Sequence, residues 1–195
     1  MTQLLKPPGV PEPFRAALVG LRDAVTSPDR PGLDLHEVPA PKRLAPYAVA
    51  VSAEICCDDE QVASGRFVVL HDPGGQDGWR GDTRVVAFVS AEVEAEMAAD
   101  PALAQVGWSW LTESLQDRGA AHTAAGGTVT RTVSCRFGQI EDAAEASEVE
   151  VRASWTPLPD TDGRMDLGLH LRAWCDLLCA TAGLPPPGVL ALRAR

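Results

Sequence analysis

The side chains able to do chemistry are four histidines, five cysteines and many carboxylates, and their spacing decides what they could do. His36, His71, His122 and His170 each lack a second ligand at metal-binding spacing, so no metal site is expected. His71-Asp72 looks like half of a metal phosphohydrolase dyad, but Pro73-Gly74-Gly75 follows and the pair reads as a turn. Cys56 and Cys57 are neighbours on a strand and point to opposite faces. Cys175 and Cys179 share one helix face, where two sulfurs one turn apart rarely meet disulfide geometry. With Cys135, which falls in the inward register of its strand, they are expected to be buried small hydrophobes. There is no Gly-x-Ser-x-Gly elbow, and neither Gly74-Gly75 nor Gly126-Gly127 opens a helix as a phosphate-binding loop does. No catalytic residue, metal ligand or cofactor site is picked out.

Two features are left over. Arg131 lies in the inward register between Val129 and Val133, where an arginine needs a partner or a bulge, or serves to hold an anion. Trp108 and Trp110 sit two residues apart in a helix and point about 200° from one another, so both cannot face one core. One of them is expected on a groove wall or an interface. Arg43, in the basic pair Lys42-Arg43, joins Arg131, Trp108 and Trp110 as a candidate binding residue.

The elements that would position these residues follow from periodicity. Phe14, Ala17, Leu18, Leu21 and Val25 recur at helical spacing until Pro28. The Pro-rich stretch from Pro28 to Pro46 reads as an ordered loop lying on the fold. Strands are expected at Tyr47 to Ile55, Phe67 to Leu70 and Thr83 to Val93. A helix then starts at Asp100-Pro101, carries Leu103, Val106, Trp110, Leu111 and Leu115 inward, and ends at Gly119. Strands at Thr128 to Phe137 and Glu148 to Trp155 follow, and a helix from about Asp166 to Ala182 stops at Gly183 and Pro185. The order α-β-β-β-α-β-β-α, with short β-to-β links, predicts an α+β fold: a single antiparallel sheet of about five strands with helices packed on it. The expected division is a Pro-rich lead at 1–11, one domain at 12–188 and a short tail at 189–195.

A net charge of −10 excludes whole classes of partner. Acidic clusters at Asp58-Asp59-Glu60, at Glu92, Glu94 and Glu96, and from Glu141 to Glu150 repel a phosphate backbone, so no direct nucleic-acid contact is expected. No apolar run approaches the roughly 20 residues that span a bilayer. The start of the chain lacks the apolar core of a signal peptide, and five cysteines without a framework suit a reducing compartment, so the expected location is the cytoplasm.

Several stretches carry a family resemblance: Glu37 to Pro46, Gly65 to Pro73, Val106 to Leu111, Ala124 to Arg131 and Ala173 to Cys179. Over about residues 12 to 188 the chain resembles the actinobacterial family known as domain of unknown function 3000. That resemblance implies no activity and assigns no functional residue. The element order is also similar to that of small acidic secretion-chaperone-like folds, which pair as dimers and bind other polypeptides, a fold-level likeness only.

The reading is a non-catalytic protein-binding or adaptor domain with an acidic surface, forming a homodimer. Two alternatives stand beside it: a small-molecule binder or enzyme with a pocket near Arg131, and a thiol redox sensor.

Overall fold

The computed structural model describes residues 9–57, 60–138 and 146–185. Along these run α1 (Glu12–Thr26), β1 (Leu33–Val38), β2 (Tyr47–Cys57), β3 (Glu60–His71), β4 (Thr83–Glu92), α2 (Ala95–Ala99), α3 (Leu103–Asp117), β5 (His122–Ser134), β6 (Ala146–Pro157) and α4 (Leu167–Thr181). The strands form a 6-stranded sheet in the order β1-β2-β3-β4-β6-β5, every neighbouring pair antiparallel. The α+β class and the single antiparallel sheet are as the alternation predicts. Most of the Pro-rich lead, Asp58-Asp59, the acidic stretch 141–145 and the tail 189–195 lie outside the described residues.

The extra strand is β1, which falls inside the stretch read above as loop. Leu33 and Leu35 alternate with Asp34 and His36, a strand pattern that Pro31 and Pro39 confine to six residues. The remaining connector lies on the sheet as expected: Ala40 and Ala45 pack over Ala50, Val68 and Leu70. A second addition is α2, a short helix at Ala95–Ala99 between the expected β4 and α3.

Strand alternation sorts the core. Val51, Ala53 and Ile55 of β2, Phe67 and Val69 of β3, Val85, Ala87 and Val89 of β4, and Val151, Ala153 and Trp155 of β6 point to one face. The long helices cover that face, with α4 against β3, β4 and β6, α1 against β1, and α3 against β5. Trp174 of α4 stacks obliquely on Phe67 (5.6 Å) and donates its indole N–H to the Phe88 carbonyl at 3.1 Å, which satisfies its one polar atom in the core. The Asp166 carboxylate caps α4 by accepting from the Gly168 N–H at 2.8 Å. Gly20 and Gly168 let α1 approach this end of α4, since a Cβ on Gly168 would stand 2.4 Å from the Gly20 carbonyl oxygen. In α3 the inward stripe is Leu103, Gly107, Leu111 and Leu115; Val106, expected inward, is exposed.

Candidate functional site

The four residues singled out above do not meet. Arg131 holds the inward register as expected, opposite Val149 of β6. The helical layer ends there, so its guanidinium reaches over the edge and donates to the Ala98 carbonyl (3.2 Å) and the Asp100 carbonyl (2.5 Å), closing the C-terminal end of α2. Trp108 and Trp110 are both half-buried against the main core. Trp108 lies over β5, where a Cβ on Gly127 would stand 2.9 Å from its ring, so that glycine makes room for the indole. Arg43 is exposed on the connector between β1 and β2, at the opposite side of the sheet.

The inward face of β5 also runs out of cover. Val133 (52% exposed) and Phe137 (80% exposed) lie beyond the helices. Cys135, expected to be buried, is exposed for the same reason. All five cysteines are free, and Cys175 and Cys179 are buried. Burial pushes both of their thiols up, with the neighbouring Asp176 adding to it and Arg30 opposing it at Cys179. Protonated thiols of this kind are poor nucleophiles.

A partly buried ion network lies beside those thiols. Arg118 at the end of α3 grips both oxygens of Asp176 on α4, the Nη2–Oδ1 distance being 3.0 Å, and also holds Asp29. Arg172 stands 3.4 Å from Asp29, and the buried Arg30 stands 3.7 Å from Asp176 and donates to the Pro185 carbonyl. The paired carboxylates hold the Arg118 guanidinium in its charged form, the hydrogen-bonded Asp176 most strongly. The arrangement ties the segment after α1 to α3 and α4; every charge has a partner, so it reads as structure.

A cleft of about 1020 Å³ opens elsewhere, between α1, the turn before β4 and the loop from β6 to α4. Its lining mixes apolar side chains, Phe14, Ala17, Val19, Leu158 and Met165, with polar ones, His71, Asp82, Thr83, Asp160 and Asp166. His71 ends β3 in the same inward register as Phe67 and Val69, which buries a titratable ring. Its ring stacks on Phe14 with centroids 4.5 Å apart and planes at 7°. Nδ1 lies 2.9 Å from the Thr83 hydroxyl, which in turn donates to Asp82 Oδ1 at 2.9 Å. Burial lowers the His71 pKa, and the carboxylates of Asp82 and Asp72 partly oppose that. At neutral pH the ring is therefore uncharged.

Asp72 does the turn work expected of it, accepting from the Gly74 N–H at 3.0 Å. His71, read with it as a turn, does something different. The signal was present: it continues the apolar row of β3, as Arg131 continues that of β5. Asp82, Thr83 and Asp166 carried no such mark, since they read as an ordinary loop residue, strand start and helix cap. Among the described residues no group of three or more His, Cys, Asp or Glu side chains is placed to hold a metal ion. No described helix is long and apolar enough to cross a membrane.

No curated protein and no solved structure matches the chain. The model of the family described as "Protein of unknown function (DUF3000)" matches residues 10–190, so the chain belongs to that family.

Proposed function

We propose that this is a non-catalytic protein-binding domain that presents the free edge of β5 to a strand of another polypeptide. The observation carrying the reading is the contrast between the two sheet edges. β1 is six residues long, carries Asp34, His36 and Glu37, and lies between Pro31 and Pro39, all devices that discourage pairing. β5 is 13 residues long, rich in threonine and valine, and free of proline and lysine. From Gly119 to Gly138 there is no carboxylate, although the chain as a whole carries −10. β5 itself therefore adds no negative charge against an acidic partner, although Glu148 and Glu150 of β6 lie cross-strand from Thr132 and Thr130.

A second copy of the chain fits the edge first. Antiparallel self-pairing centred on Thr130 sets Thr130 opposite Thr130, Thr128 opposite Thr132 and Val129 opposite Arg131, so no two like charges meet. The exposed Val133 and Phe137 continue the same edge and add apolar area. Sedimentation velocity tests the reading with Thr130→Lys, whose lysine faces Glu150 of β6 within one chain but another lysine across the two-fold axis. The expected result is a wild-type dimer and a folded monomeric variant. A monomeric wild type, or a variant that dimerises as well as wild type, would overturn it.

A further inference from the structure

We propose that the cleft beside His71 binds a small molecule with an apolar body and a positively charged, hydrogen-bond-donating nitrogen. This site is independent of the β5 edge.

The argument begins with one proton. The Thr83 hydroxyl has a single hydrogen and gives it to Asp82 Oδ1, so at the His71 contact it accepts. His71 Nδ1 must then carry the ring proton, which makes Nε2 the lone-pair nitrogen. Asp82 thus fixes the tautomer through Thr83, standing 3.9 Å from Nδ1 itself. Nε2 has no partner among the described residues, although the side chain is only 6% exposed and lines the cleft. It is not among the fully buried atoms left without a partner, so it opens onto the cleft, where something must supply its donor. A ligand N–H would.

Charge and shape narrow the class. Asp23, Asp82, Asp160 and Asp166 line the cleft against Arg80 and Arg164, so the local balance favours a cation. Phe14, Ala17, Leu158 and Met165 line the same cleft and supply apolar surface suited to a ring or an alkyl chain. Val19 and Leu158 at the rim remain 51% and 40% exposed, apolar surface that a bound molecule would cover. Backbone strain lies at the same place. Arg80 has a φ of 59°, in the left-handed region that non-glycine residues adopt uncommonly.

The test is a titration of ¹⁵N-labelled protein with phenethylamine, phenethyl alcohol and 3-phenylpropionate, three probes of one shape and different charge. The expected result is saturable amide shifts at His71, Thr83, Asp82 and Met165, with the amine binding at least tenfold tighter than the acid. Asp82→Asn, at a side chain 53% exposed and so safe for folding, should weaken amine binding about tenfold. His71→Gln should weaken it comparably. No saturable shift with any probe, shifts confined to other surfaces, or tightest binding of the carboxylate would each overturn the proposal, the last by making Arg80 and Arg164 the binding groups.

Discussion

Arg84 and Ala124 lie 40 positions apart and are joined by one hydrogen bond, Arg84 Nη1 donating to the Ala124 carbonyl at 3.0 Å. Ala124 has a φ of 51°, in the left-handed region, at the register shift between β5 and β6. The same guanidinium donates to Thr156 and Ser154, and the Thr156 hydroxyl donates to the Trp79 carbonyl, next to the second left-handed residue, Arg80. The two strained positions are therefore held by one polar chain across three strands. Arg84→Ala should cost about 2 kcal/mol in urea unfolding, because it removes a charged donor from three acceptors. Ala124→Gly should add up to about 1 kcal/mol by relieving the backbone. A neutral Arg84→Ala would show that the chain does not hold the strain.

The inner part of the ion network, Asp176 with Arg30 and Arg118, should matter more than a surface pair. Asp176→Ala leaves Arg30 and Arg118 without their shared carboxylate and is expected to cost about 3 kcal/mol or more. Removing Glu12, whose pair with Arg15 is exposed on α1, should change little. Equal effects of the two substitutions in chemical denaturation would refute the distinction.

Acid should destabilise the fold through His170. Burial, helped by the nearby His122, lowers its pKa from 6.5 to about 4, and its Nδ1 accepts from the Trp155 indole at 3.1 Å. Above pH 6.5 the ring is neutral in both states. Below it the unfolded chain takes up a proton that the folded chain refuses until about pH 4, so stability falls across that window. The loss at this one site amounts to about 3 kcal/mol. His170→Gln keeps an acceptor for Trp155 and should flatten the slope of stability against pH between those limits. An unchanged slope would reject the assignment.

Thiol reactivity should divide the cysteines. Cys56, Cys57 and Cys135 are exposed and should react rapidly with a disulfide reagent in the native protein, whereas Cys175 and Cys179 should wait for unfolding. Rapid labelling of Cys175 or Cys179 at neutral pH would revive a thiol-sensing role.

RNA should not bind directly. With a net charge of −10, gel-shift titration at low salt should show no micromolar complex with single- or double-stranded RNA. A complex that weakens steeply as salt rises would contradict this.

The three long helices and five of the strands were legible because alternation and helical spacing report burial, and burial built this fold. β1 was not legible, because Pro31 and Pro39 framed a real alternation as loop. Cys135 was misread as buried for a different reason: register says which way a side chain points, not whether a helix is there to cover it. The cleft was hidden more deeply. Its polar lining comes from the end of β3, the turn before β4 and the cap of α4, and only the folded chain brings those segments together. His71 alone carried a usable mark, a titratable residue in an apolar row.

The central position of α4 has a consequence for how the chain comes to be folded. This helix packs on β3, β4 and β6 and against both α1 and α3, yet it follows every strand in chain order. During synthesis the meander β1 to β4 can pair as it emerges, but the apolar face of that sheet stays uncovered until Leu167–Thr181 has been made. β4 likewise keeps an open edge until β6 arrives to separate it from β5. The nascent chain therefore spends most of its synthesis with a sticky surface and an unpaired strand, an interval in which it depends on chaperones or on speed.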